Sequence, residues 1–373
     1  MVFETRRSEC APFLFQGKVV AREEEYRYLG FTLHATRNLT YGTEFLVAAA
    51  KKAMHAMRRR CIRLGLSDPA SICKLFDTLV LPILSYSCEV WAVEPKAIEC
   101  AEKLHRKFLK QLLGVRKGTA SLVVLAEFGR FPLPFHFWQQ ILRFRNRAVC
   151  LPNSRLVKLA LIDEYYQLRG NVSRVEELSS NWRSAVRRFV ASHPGQQAIL
   201  RELDVLGIID EEKARYLHEY STSTQYSSLQ FYRCLNPHYQ LAAYLLHNVC
   251  YPNRRLTSRL RCQCFGLQAD IGRFEHITRE HRLCQVCHAC VVEDEHHFLF
   301  DCPAYSHILA KHMSLFQGQS FTVASFLATS QHGLLGRFLR KCFFHRHYLM
   351  HTPPVNVLQC FRAWTQQRWL AHN

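Results

Sequence analysis

The sequence predicts a mainly α protein: a β hairpin at the N-terminus, a helical unit, a helical connector, a small zinc-binding segment and a helical tail. Three observations predict it. Residues 1–34 carry two runs rich in aromatic and aliphatic residues, FLFQGKVV and YRYLGFTL, as strands do. From about Thr43 the apolar residues recur at helical spacing. Between Cys284 and Cys302 cysteine and histidine gather in one short stretch, where a metal ion can replace a core. The divisions fall at 1–44, 45–154, 155–275, 276–306 and 307–373.

The hairpin rests on the charged, turn-prone AREEE between the two runs, which is expected to be the turn that pairs them. The first helix rests on Val47, Ala50, Met54, Met57 and Cys61, which make one apolar stripe. Lys52, His55, Arg59 and Arg63 fall on another face, and residues 51–63 hold six Lys or Arg and no acid. Surface helices usually mix signs, so this face is read as a nucleic-acid contact rather than a merely solvated one. Ser67-Asp68-Pro69 starts the next helix, with a capping side chain before a proline at the first helical position. Pro82 should break it.

Residues 96–113 form a further amphipathic helix, with Ile98, Ala101, Leu104, Phe108 and Leu112 inward. Lys103, Arg106, Lys107, Lys110, Arg116 and Lys117 line or follow it, a second basic block. Phe131–Trp138, with two prolines and four aromatics, reads as a packed turn between helices. Residues 137–168 read as helical again and 170–235 as helices joined by polar loops. RRLTSRLR at 254–261 is a third basic block, and the tail after Tyr305 is aromatic, basic and helical.

Composition sets the broad class. The 373 residues are 48% apolar and 21% charged, which excludes wholesale disorder. The formal net charge of +19 calls for a polyanionic partner, nucleic acid before an anionic membrane surface. No apolar run approaches the ~18–20 residues of a membrane helix, and MVFETRRSEC lacks the order of a signal peptide. The expected compartment is intracellular, nucleus or cytoplasm, with most of the sixteen cysteines reduced, and metal-bound where clustered.

The strongest local pattern is Cys284-x2-Cys287-x9-His297-x4-Cys302. Three sulfurs and one nitrogen satisfy tetrahedral Zn2+ and leave no open position, so the ion would be structural. His296 adjoins His297, and Cys290 or His288 could replace a member; the x4 interval favours His297. Cys262 and Cys264 form a CxC read as core. Catalytic patterns are missing: the eight aspartates include no adjacent pair, and no GxxxxGK[ST], HExxH or GxSxG occurs.

The order of motifs resembles a known family. EYRYLGFTL, then AAAKKAMHAMRRRC, KLFDTLVLPILSYSCEVWAV, EKLHRKFLKQLLGVRKGTAS and LAEFGRFPL look like the region after the catalytic palm of LINE-type (non-LTR) retrotransposon reverse transcriptases. LRCQCFGLQADIGRFEHITREHRLCQVCHACVVEDEHHFLFDCPAY resembles their C-terminal zinc segment. The resemblance covers about 1–150 and 255–306.

It implies that the hairpin is a palm remnant and that the helices behind it are a thumb. Tyr28, Leu29 and Gly30 would take the place beside the primer terminus. Lys52, Arg58, Arg59, Arg63, Lys107 and Lys110 would contact the phosphates of RNA or DNA template-primer. Cys284, Cys287, His297 and Cys302 would form a zinc knuckle. Met1 would fall just after the family's paired aspartates. Mg2+ would then belong to the complete enzyme, and polymerisation would need an upstream segment or a partner. The alternatives are a piece of a longer active reverse transcriptase, and an unrelated zinc-containing helical interaction protein.

Overall fold

A computed structural model describes residues 14–20, 23–162, 182–193, 201–224, 227–287, 289–316 and 322–351. It is mainly helical, as expected, and among the described residues the strands lie at the N-terminal end. The described residues fall into two compact units. One draws on 1–112, 121–229 and 236–242, the other on 113–120, 230–235 and 243–373.

The strand pairing differs from the expectation. The two runs do not pair with each other across AREEE; each folds on itself. β1 (Leu14–Phe15) pairs with β2 (Lys18–Val19), and β3 (Glu25–Tyr28) pairs with β4 (Phe31–His34). Each turn carries two residues at positive φ, Gln16-Gly17 and Leu29-Gly30. That backbone suits the right-handed twist of a two-residue hairpin, and glycine accepts it freely. Tyr28-Leu29-Gly30 is therefore a hairpin tip rather than a strand end leading onward. Leu29 is exposed, and its carbonyl accepts a hydrogen bond from the Tyr86 hydroxyl.

The second hairpin packs on α1 (Thr40–Arg63). A Cβ on Gly42 would lie 2.3 Å from the Thr32 carbonyl oxygen, so only glycine allows this approach. Ala50, Met54, Met57 and Cys61 are buried along α1 as the stripe requires, with Val47 half-buried. Asp68 caps α2 (Pro69–Leu79), accepting from the Ser71 N–H at 2.7 Å. The helix ends at Leu79, and Pro82 sits in the first turn of the short α3 (Leu81–Leu84). α4 (Cys88–Trp91) then buries Trp91 against Phe137, ring centroids 5.0 Å apart. In α5 (Pro95–Leu113), Ala101, Leu104, Phe108 and Leu112 are buried, and Phe108 stacks on Phe76 at 4.3 Å.

After α6 (Ser121–Glu127), α7 (Leu133–Cys150) begins earlier than the sequence reading placed it. Pro132 and Pro134 stand at its N-cap and first turn, where neither costs a helical hydrogen bond. Glu102, buried in α5, accepts from the Leu133 N–H at 2.8 Å and helps to satisfy that end. A helical stretch at 156–162, α8 (Trp182–Ala191) and α9 (Val205–Thr222) belong to this unit, while α10 (Ser227–Leu235) is divided, 227–229 in this unit and 230–235 in the other.

The second unit is built on α11 (Tyr251–Arg261) and α15 (His332–His351), which pack closely enough that a Cβ on Gly336 would lie 2.7 Å from that of Asn253. α12 (Gln268–Phe274), α13 (Ser306–Ala310) and α14 (Val323–Leu327) surround them. One buried cluster runs through the unit, from Leu256, Leu260 and Phe265 to Phe326, Phe338 and Leu339. Among the described residues, no helix is long and apolar enough to cross a membrane.

Candidate metal centre and basic helix face

The metal-ligand candidates converge in the second unit. A single antiparallel bridge joins Leu283 to Val292, with the Cys284 N–H donating to the Val291 carbonyl at 2.8 Å and the Glu293 N–H to the Arg282 carbonyl at 2.9 Å. The loop so closed carries Cys284 and Cys287. Asp294 then accepts from the His297 N–H at 3.1 Å and starts a wide π turn over His297–Asp301, closed by the Cys302 N–H on the His297 carbonyl at 2.8 Å. Such turns recur at functional sites because they re-aim side chains within a helical path. Here the turn brings residues five apart to one side.

The ligand atoms of Cys284, Cys287, His297 and Cys302 all lie within 4.8 Å of one another. Cys287 Sγ is 3.4 Å from His297 Nε2. A tetrahedral ion with bonds of about 2.3 Å to sulfur and 2.0 Å to nitrogen has S···N edges of roughly 3.5 Å. The cluster therefore fits a metal ion such as zinc, with His297 ligating through Nε2.

His296 is excluded from the set: it is exposed, and its Nδ1 lies 2.9 Å from Asp301 Oδ2. Cys290 is exposed at a loop position with positive φ. Cys262 and Cys264 are buried outside the cluster, as core cysteines are. His288 lies outside the described residues.

Burial pushes the Cys302 thiol up to about 12 and also raises Cys284, while burial holds His297 below the usual histidine range. That shift favours the neutral imidazole, the form that ligates. The raised Cys284 and Cys302 thiols favour the protonated form until a cation draws them to thiolate, so binding releases protons.

The basic residues divide. On α1, Lys52, His55, Arg58, Arg59 and Ile62 line an open cavity of about 520 Å³. Lys52, Arg59 and Arg63 are exposed, and no acid among the described residues pairs with them. Arg58 donates to Gln111 Oε1 of α5, which ties the two helices. On α5, Lys107 is exposed and Lys110 half-buried, with burial and the neighbouring Arg106 lowering its pKa. Arg106 itself is engaged by Glu99 at 2.5 Å.

The third basic block is consumed within the second unit. Arg254 and Arg261 are buried, with guanidinium groups over the Tyr251 and Tyr244 rings. Arg255 and Arg259 both donate to the Gly114 carbonyl, at 3.4 and 2.9 Å.

Sequence reasoning missed Glu293 and Arg346, a buried ion pair beside the metal cluster with N–O distances of 2.5 and 2.9 Å. Nothing in a basic, aromatic tail singles out one arginine as internal. Compared with models of protein families, with curated proteins and with solved structures, the chain matches none.

Proposed function

We propose that this chain grips nucleic acid, as a thumb-like helical unit with a zinc segment of the kind that follows the catalytic palm in LINE-type reverse transcriptases. The observation that carries the reading is the α1 face. Lys52, His55, Arg58 and Arg59 line one open cavity, and residues 51–63 contain no acid to compete with a phosphate. Lys107 and Lys110 stand on the helix that Arg58 reaches through Gln111 and extend the track, as Arg63 does at the end of α1. Contacts of this kind position a duplex without reading its bases.

Tyr28, Leu29 and Gly30, at an exposed hairpin tip, are assigned to the primer end of an RNA or DNA template-primer by the resemblance. Cys284, Cys287, His297 and Cys302 would hold Zn2+. With four protein ligands the ion supplies folding energy and no open position for chemistry. This chain's own residues bind and orient; no residue is assigned to catalysis.

The test is the salt dependence of affinity for an RNA–DNA hybrid. Six phosphate contacts predict a loss of about a thousandfold between about 50 and 200 mM salt. Equal affinity at both would overturn the reading, and so would template-directed primer extension by the purified chain alone. One zinc per chain, lost on Cys284→Ser with Cys302→Ser, is expected for the metal. A purified chain without zinc that takes none up would remove that part.

A further inference from the structure

The metal ligands do not stand on a segment of their own. Cys284 and Cys302 belong to the same buried cluster as Leu260, Phe338 and Cys342, so the site shares one core with α11 and α15. Between Cys287 and His297 the chain buries Glu293 completely, and its Oε1 lies 3.8 Å from Cys284 Sγ. Arg346 of α15 takes both oxygens of that carboxylate, at 2.5 and 2.9 Å, and is itself only 5% exposed. The Gln268 N–H at the start of α12 donates to Glu293 Oε2 at 2.9 Å, and Arg346 also reaches the Gly266 carbonyl at 3.3 Å. One carboxylate thus joins the metal loop, α12 and α15.

Charge gives this joint a purpose. A divalent ion with three thiolates and a neutral imidazole carries one net negative charge. Glu293 sets a second beside it, and buried like charges are costly unless compensated. Arg346 is the compensating cation. The guanidinium and the Gln268 N–H together hold the carboxylate in place. Partners behind the ligands commonly tune metal affinity in this way.

We propose that Glu293 and Arg346 are positioning residues of the metal centre, so that ion binding and docking of α15 are one coupled equilibrium. This rests on the reading that the cluster of three cysteines and a histidine holds a metal ion.

The experiment uses the full chain, with Co2+ as a spectroscopic probe. Arg346→Met is expected to weaken Co2+ binding about 10–100-fold, and Arg346→Lys to recover part of it. Arg340→Met, on the exposed side of the same helix, should bind as the unaltered chain does. As a readout that does not depend on the folding of Arg346→Met, hydrogen exchange is followed in the unaltered chain. Coupling is reciprocal, so α15 amides should exchange faster once the ion is stripped. Unchanged Co2+ affinity in Arg346→Met, or unchanged α15 exchange on stripping, would overturn the proposal while leaving the metal site intact. An unaltered chain that takes up neither Co2+ nor Zn2+ would instead overturn the metal reading, and this inference with it.

Discussion

α1 and α11 are alike in composition and opposite in what they do with it. Both are short of acids and crowded with arginine. On α1 the cations other than Arg58, which is half-buried on Gln111, stand in water around an open cavity. On α11 two guanidiniums are buried over tyrosine rings, and two more share one carbonyl. The comparison shows that a run of positive charge states a need for partners without saying whether the fold supplies them. Where carbonyls and rings are within reach, arginine is a structural residue with a long apolar stem. Where none is, the charge remains available to an external anion.

The largest effect that tests this contrast is on stability. Arg254→Ala should cost about 2–4 kcal/mol, since it empties a packed site and removes a donor from the buried Val249 carbonyl. Urea unfolding would measure it, and affinity for nucleic acid at fixed salt should not change. If Arg254→Ala left stability intact and cut affinity instead, the two helices would not differ as described.

A middle-sized effect concerns another internal charge of the second unit. Burial, with Asp270 nearby, pushes Glu295 up to about 7. In the unfolded chain it titrates near 4.3. Below that pH both states hold the proton and folding gains nothing from it. From about 4.3 to 7 only the unfolded state ionises, so stability falls as pH rises through this window and stays lower above it. Glu295→Gln keeps the acceptor for the Gln263 amide and should raise stability by about 1–3 kcal/mol at pH 8. At pH 4 it should change little. Denaturation curves of Glu295→Gln and the unaltered chain, compared at each pH, check the sign.

The smallest stability effect belongs to α1. Lys52→Ala with Arg59→Ala should stay within about 0.5 kcal/mol of the parent. The same pair should weaken RNA–DNA hybrid binding and lower the salt slope by about two. A slope left unchanged would take these two residues out of the proposed track.

Much of the fold was legible because its causes are local. Asp68-Pro69 marks a helix start wherever it falls, and the α1 stripe needs only its own period. The ligand spacing was legible too, and its x4 interval already favoured His297; the Asp301 contact that holds His296 outside was not legible. The hairpins were misread because the polar AREEE looked more turn-like than Gln16-Gly17 or Leu29-Gly30. The two glycines at positive φ were the better signal. The pair Glu293–Arg346 could not be read, since its partners are 53 residues apart and neither residue type suggests burial. The fate of Arg255 and Arg259 was hidden for the same reason: the Gly114 carbonyl that accepts from them is 141 and 145 residues away.

The wide turn at His297–Asp301 has a consequence for how such a chain can vary. Its extra residue per turn is what points the imidazole and the last sulfur the same way, so the interval between them is fixed in length. Losing or gaining one residue there would swing His297 aside. The loop tip before Val292 carries no such demand, because the bridge to Leu283 is closed behind it. Drift in length should therefore collect between Cys287 and Val292 and be shut out between His297 and Cys302.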